Sequence, residues 1–293
     1  MTSIPPGLLA LSAPAKVNLT LEVLRRRDDG YHDIRTVMQA VSLSDRLTFA
    51  PAETLHLRSN RPEMEGPDNL VWQAATLLRQ ETRTAKGASI FLEKRIPVTA
   101  GLGGGSSDAA AALLGLNALW ELGVPRARLL EIGAQVGSDV PFFLGESGCA
   151  LAEGRGERIT PLPDLPRRWV VLVKPALAIS TAAVYRAYPR ERWSDGRRTS
   201  AWMQQMAFSH EVPPPFNDLE AIALQVAPDA ARARAALLDA GAPAALMSGS
   251  GPTYFALFDT ESAAQTVHHR LVSGGHESYL ASFCNQVDLP TPC

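Results

Sequence analysis

The stretch Pro97-Val98-Thr99-Ala100-Gly101-Leu102-Gly103-Gly104-Gly105-Ser106-Ser107-Asp108 decides how the rest of the chain is read. Residues 101 and 103 to 105 are glycine, two serines follow, and the segment runs directly into Ala109–Leu122. That continuation is apolar on nearly every side and predicts a buried helix. Upstream, Ser89–Glu93 reads as a strand that ends at Arg95-Ile96-Pro97. Glycines at a strand–helix junction let the backbone pass close to a ligand and turn its N–H groups toward one point. The helix adds free N-terminal N–H groups and the positive end of its dipole. Together these favour a phosphate. Ser106 and Ser107 can cap the helix or donate to phosphate oxygens, and Ser107 is also a candidate Mg²⁺ ligand. A flexible turn is the plainer alternative, which so dense a cluster disfavours. Two other phosphate motifs do not fit. No lysine stands where a P-loop needs one, and Ser106 replaces the third glycine of a dinucleotide fingerprint. The protein-kinase triplets His-Arg-Asp and Asp-Phe-Gly are absent.

Working outward, residues 17–24 alternate: Val17, Leu19, Leu21 and Val23 on one side, Lys16, Asn18, Thr20 and Glu22 on the other. This predicts a strand with one buried face. Arg25-Arg26-Arg27-Asp28-Asp29-Gly30 is a polar turn, and Asp45–Phe49 is a second extended region. Helical spacing covers 69–82, 126–136, a segment near 217–226, 230–240 and 261–271. Strands are expected at 169–173, 245–247, 253–258 and 277–283, and Arg186–Ser200, rich in Arg and Pro, reads as a loop. The mixture is α/β (α+β). A turn-rich stretch at 153–168 divides it into two domains, 1–160 and 161–293.

Two further residues carry chemistry. Lys16 stands on the polar side of the first strand beside Asn18, where taken alone it reads as a solvated lysine. Asp139, in Gly137-Ser138-Asp139-Val140-Pro141, taken alone reads as a helix N-cap. With the glycine loop they fit phosphoryl transfer, which needs positioning, charge neutralisation and an acceptor for the hydroxyl proton. Asp139 can accept that proton. The Lys16 ammonium would keep the carboxylate ionised and stabilise the transferring group.

Three segments in order resemble the motifs of the GHMP kinases, the family of galactokinase, homoserine kinase, mevalonate kinase and phosphomevalonate kinase. They are Pro14-Ala15-Lys16-Val17-Asn18-Leu19, Pro97 to Ser107, and Ser248-Gly249-Ser250-Gly251-Pro252. Asp28-Asp29-Gly30-Tyr31-His32 and Gly137–Pro141 look like the members that act on cytidine-diphosphate-linked methylerythritol. The agreement runs from about residue 10 to 260 and fades beyond. The resemblance implies two α/β domains with the site in the cleft between them. It also implies ATP as phosphoryl donor, Mg²⁺ assisting, and the 2-hydroxyl of the methylerythritol moiety as acceptor in non-mevalonate isoprenoid synthesis. By the same resemblance Lys16 and Asp139 are the catalytic pair and residues 97–107 hold the ATP phosphates. Asn69 lines the nucleotide base site, and Asn18, Tyr31, His32 and Tyr185 bind the cytidine substrate. The chemistry of Tyr31 and His32 agrees, since aromatic faces stack on a pyrimidine and an imidazole hydrogen-bonds its edge; a turn with a surface aromatic is the alternative. Two departures stand out: Ser138 where alanine is usual, and Tyr185 where phenylalanine can occur.

Composition narrows the field. Twenty-eight basic and 30 acidic residues leave a net charge of -2, without the basic excess of a nucleic-acid binder. Cys149, Cys284 and Cys293 form no CxxC pair or disulfide framework, which fits a reducing cytoplasm. Met1–Ala10 lacks the basic and apolar regions of a signal peptide, and no apolar run reaches a bilayer span. His268, His269 and His276 match no metal-ligand spacing and read as surface residues. Arg25-Arg26-Arg27 reads as a charged hairpin tip, with contact to a diphosphate left open. Small molecules are therefore the expected partners, and the oligomeric state is not legible. A different GHMP kinase, or a nucleotide-binding sensor without catalysis, are the competing readings.

Overall fold

The computed structural model describes residues 8–285; Cys293 and the first seven residues of the Met1–Ala10 segment lie outside them. In chain order the first elements are β1 (Leu9–Arg26), β2 (His32–Ala52), β3 (Leu55–Ser59), α1 (Leu70–Thr82), β4 (Gly87–Glu93) and α2 (Gly104–Leu119). Then come α3 (Arg126–Val136), α4 (Val140–Leu144), β5 (Cys149–Gly154), β6 (Arg158–Pro161), β7 (Trp169–Val173) and α5 (Thr181–Ala187). The last are α6 (Arg197–Ser209), β8 (Phe216–Asn217), α7 (Glu220–Val226), α8 (Ala231–Asp239), β9 (Leu246–Met247), β10 (Tyr254–Phe258), α9 (Glu261–Ser273) and β11 (Ser278–Ser282).

β1 and β2 form a long antiparallel ribbon from Leu9↔Phe49 to Arg26↔His32. The far edge of β2 takes two partners: β4 along Arg46–Ala52 and β5 along Ile34–Gln39. β3 lies parallel to β4, β6 antiparallel to β5, and β8 parallel to β1 at Thr20 and Leu21. Helices α1 to α4 cover this sheet through a core that includes Phe49, Leu78, Leu113 and Phe142. A second, antiparallel sheet has the order β11-β7-β10-β9. It packs with Leu219 just before α7, Leu237 of α8 and Val267 of α9. A third cluster joins the two sheets: Ala15, Val17 and Leu19 of β1 meet Val170, Leu172 and Phe255.

Several expectations need correction. β1 extends well past 17–24, and both its faces are buried, not one. Lys16, Asn18, Thr20 and Glu22 are 3%, 2%, 0% and 0% exposed. Each polar side chain has found a distant partner. Glu22 accepts from the Thr199 N–H at 2.7 Å and from the Ser194 hydroxyl, and Thr20 Oγ1 accepts from the Val37 N–H at 2.9 Å. An unpartnered buried carboxylate would be prohibitive, so Glu22 requires the N-terminus of α6 beside it. That requirement, with the burial of Trp202 and Met206, explains why 197–209 is a helix where 186–200 reads as a loop. The second extended region is likewise far longer than Asp45–Phe49, because β2 is paired along both edges. The helix after the glycines begins at Gly104, inside the glycine run.

Candidate active site

A cleft of ≈ 950 Å³ opens along the polar side of β1. Its floor is built from Lys16 and Asn18. The loop from Pro97 crosses one end, where Gly101 adopts φ 75° and its carbonyl accepts from Lys16 Nζ at 3.0 Å and from Ser248 Oγ at 3.0 Å. The Lys16 N–H donates to the Leu102 carbonyl at 2.9 Å. These bonds fasten the loop to β1 and to the 248–252 turn. The N–H groups of the first turn of α2 have no intrahelical partner, and Gly104, Gly105 and Ser106 there are half-buried.

The ammonium of Lys16 also donates to Asn18 Oδ1 at 2.6 Å and lies 3.7 Å from Asp139 Oδ2. Asn18 in turn donates to Thr36 Oγ1 at 2.8 Å. Burial lowers the Lys16 pKa, and the Asp139 charge opposes that shift. Asp139 occupies the N-terminal position of α4, yet its side chain accepts no capping hydrogen bond. Its carboxylate is instead turned toward Lys16, and Lys16 is not a solvated strand lysine but sealed beneath the cleft.

At the other end, the His32 and Tyr185 rings stand 5.3 Å apart, and the Arg155 guanidinium lies 5.0 Å from the Tyr31 ring centre. Tyr31 is exposed. Burial and then the charge of Arg26 lower the pKa of His32, keeping its imidazole neutral near pH 7. Burial, with the Asp139 charge adding to it, pushes the Tyr185 hydroxyl upward.

The cleft thus gathers Lys16, Asn18, Tyr31, His32, Gly101, Gly103, Asp139 and Tyr185. The remaining loop residues do not border it. Pro97, Ala100, Leu102 and Ser107 are buried, while Val98 and Thr99 are exposed. Ser107 lines a separate void of ≈ 10 Å³, space for about one water, and its Oγ has no partner. Asn69 lies outside the cleft: it caps α1, accepting from the Val71 N–H at 2.8 Å and donating to the Met64 carbonyl at 2.7 Å. Its neighbour Leu70 does approach the loop at Gly105.

Sequence reasoning passed over several lining residues. Arg155 sits in the β5–β6 turn between Gly154 and Gly156, both at positive φ; the Gly-Arg-Gly triplet was its signal. Thr181 and Ser250 line the cleft with their hydroxyl oxygens 2.7 Å apart. The three arginines of the hairpin separate. Arg25 pairs with Asp33, Arg27 pairs with Asp29 and Asp33, and Arg26 lines the cleft. His268 meets Ser278, and among the described residues no group of three or more His, Cys, Asp or Glu converges on a metal position. Among them, too, no helix is long and apolar enough to cross a membrane.

Comparison with known proteins identifies the family and the fold. Residues 69–146 match the family model for the GHMP kinases N terminal domain, and residues 195–277 match that for GHMP kinases C terminal. The likeness therefore continues past residue 260, where the motifs alone fade. A 4-diphosphocytidyl-2-C-methyl-D-erythritol kinase of Dehalococcoides mccartyi is 43% identical over 96% of this chain and 100% of its own length. Its counterpart in Exiguobacterium sibiricum is 42% identical over 95% and 96%. A crystal structure of 4-(cytidine 5'-diphospho)-2C-methyl-D-erythritol kinase superposes with TM-score 0.80 at 38% identity, covering 94% of this chain and 99% of that one. Homoserine kinase from Cytophaga hutchinsonii shares the fold at TM-score 0.69 and 17% identity, over 99% of each chain. On motif order, fold and near-full-length identity, this chain belongs to the GHMP kinase family, in the group of the 4-diphosphocytidyl-2-C-methyl-D-erythritol kinases.

Proposed function

We propose that this chain transfers the γ-phosphoryl group of ATP to the 2-hydroxyl of 4-diphosphocytidyl-2-C-methyl-D-erythritol, a step of non-mevalonate isoprenoid precursor synthesis. The observation that carries the reading is the meeting of Lys16, Asp139 and the 101–103 backbone in one cleft whose other end holds Tyr31, His32 and Tyr185. Asp139 accepts the proton of the acceptor hydroxyl. Lys16, 3.7 Å from that carboxylate, orients it and neutralises charge building on the transferring group. The loop N–H groups and the start of α2 hold the donor phosphates. Tyr31 and Tyr185 offer faces to the cytosine, neutral His32 and Asn18 hydrogen-bond the cytidyl substrate, and Arg26 and Arg155 face its diphosphate. Asn69, at the start of α1, serves the adenine side.

Mg²⁺ fits this donor set as an ion that arrives with the nucleotide. It takes oxygen ligands, keeps several waters and binds substrate phosphates. The half-buried Ser106 hydroxyl at the start of α2 is the better protein oxygen for it; the buried Ser107 is the poorer. The division at 160/161 assigns the donor loop and both catalytic residues to the first domain. The 248–252 turn comes from the second. Cys149 is a small buried side chain.

The direct test offers the purified protein ATP with the cytidyl substrate, homoserine or mevalonate. Phosphorylation of the cytidyl substrate should exceed the others by about a thousandfold or more in kcat/KM, because a cleft built for a base leaves its polar groups unpaired around a small acceptor. Comparable turnover of homoserine would reject the assignment.

His32 gives a second expectation. Its pKa in the folded protein lies below the ordinary 6.5, so the neutral ring is the stable form above that value. The contribution is present at neutral pH and is lost as pH falls through the lowered pKa. KM for the cytidyl substrate should stay flat from pH 8 to 6.5 and rise only below, and His32→Gln should flatten that acid rise. An increase centred at or above pH 6.5 would exclude a neutral His32 as the base reader.

A further inference from the structure

Three charged side chains are sealed in the core beside the glycine loop, and none of them borders the cleft. Asp45 of β2, Lys94 just beyond β4 and Asp108, the fifth residue of α2, are 1%, 4% and 1% exposed. Lys94 Nζ donates to Asp108 Oδ2 at 2.6 Å and also to Asp45 Oδ2. The other oxygen of Asp45 accepts the N–H groups of Arg95 and Ile96, at 2.5 and 2.8 Å.

An ion cluster this deep is poor value as a source of stability. The desolvation of its members offsets their attraction, and apolar side chains of similar volume commonly serve as well or better. Burial drives the Asp108 carboxyl well up despite Lys94 beside it, and the Asp45 charge adds to the shift. Asp108 Oδ1 finds no partner at all. Stability alone therefore explains the cluster badly.

Its position along the chain explains it better. Lys94, Arg95 and Ile96 immediately precede Pro97, and Asp108 immediately follows Ser107. Through one carboxylate on β2 and one ammonium, the entry and the exit of the 97–107 loop are tied to each other and to the central sheet. The ammonium also lies directly against the loop: a Cβ on Gly104 would stand 3.0 Å from Lys94 Nζ. A segment with four glycines has unusual backbone freedom. Binding a triphosphate on its N–H groups requires that freedom to be lost, and a loop already held in place loses less on binding.

We propose that Asp45, Lys94 and Asp108 are positioning residues for the nucleotide, a buried clamp that joins the two ends of the phosphate loop and holds its N–H groups in register for the triphosphate. The inference rests on the functional reading above. The clamp touches neither substrate, so it acts on nucleotide affinity and leaves the cytidyl end alone.

Asp108→Ala opens the clamp at its exit while the Asp45–Lys94 pair stays intact. Its readouts are the equilibrium Kd for ATP, KM for each substrate, and Tm. We expect Kd and KM for ATP to rise about tenfold, KM for the cytidyl substrate to stay within about twofold, and Asp108→Asn, which still accepts from Lys94, to restore most of the loss. Should Asp108→Ala fail to fold, the paired change Lys94→Met with Asp108→Leu fills the site with apolar atoms, leaves Asp45 its two N–H donors, and should show the same rise. A lowered Tm with unchanged ATP affinity in whichever variant folds would reduce the cluster to a structural role and overturn the proposal. Because Kd is read without an acceptor, a wild-type protein inert toward the cytidyl substrate would count against the functional reading and not against the clamp.

Discussion

Asp139→Asn is expected to bind ATP as the wild type does and to lose about two or more orders of magnitude in turnover. Asparagine keeps the shape and a carbonyl acceptor, so the loop and β1 should stay in place. What it removes is the negative charge 3.7 Å from Lys16 and the group that takes the hydroxyl proton. A second consequence separates this account from simple damage. The Asp139 charge opposes the burial that lowers the Lys16 pKa. Without it Lys16 must fall further, so the alkaline limb of the residual activity should move to lower pH. Measuring kcat against pH in both proteins checks the two effects together. Near-normal turnover would remove Asp139 as the proton acceptor, and an unmoved alkaline limb would detach Lys16 from it.

The second large effect is expected at Gly101. A Cβ there would stand 2.4 Å from the Ser248 carbonyl oxygen and 2.9 Å from that of Gly251, both backbone atoms that cannot swing aside. The residue also adopts φ 75°, which costs an L-residue about 1 kcal/mol or more. Gly101→Ala should therefore destabilise the protein by about 3 kcal/mol, strain and overpacking together. The same shift moves the carbonyl that accepts from Lys16 Nζ, so turnover should fall about a hundredfold in the protein that still folds. Gly123→Ala is the control. Its φ is 63°, but nothing lies within 4 Å of the added carbon, so only the backbone strain applies and kcat should not change. Urea titration and steady-state kinetics on both variants decide the matter. If Gly101→Ala is as mild as Gly123→Ala, the loop does not seat on the 248–252 turn as described.

The glycine loop, Lys16 and Asp139 were legible in the sequence because each belongs to a short motif whose order along the chain is itself informative. Their meeting was legible only through the resemblance, since nothing local places residue 139 beside residue 16. The two-faced burial of β1 was hidden for a definite reason. Alternation registers a polar side chain as facing water whatever partner it later finds, and the donor that buries Glu22 is Thr199, 177 residues away. The same distance hid α6, whose Arg-rich start favours a loop until Glu22 sits at its N-terminus. Arg155 was passed over because its importance comes from the β5–β6 turn, which points it at Tyr31. Asn69 shows the limit of carrying a residue over by motif: its position near the loop is kept, while its side-chain amide is occupied in holding α1.

Strand β8 bears on how such a polypeptide comes to completion on the ribosome. When synthesis has reached Pro161, β1 still lacks its parallel neighbour at Phe216–Asn217, Glu22 lacks the Thr199 N–H, and Val17 and Leu19 lack Val170, Leu172 and Phe255. A nascent chain of that length leaves apolar and charged groups of its central strand facing water. The catalytic floor therefore closes late, after the final third has emerged, and a separately made fragment ending at Pro161 would have to remain soluble with half of β1's surroundings missing before its complement could join it.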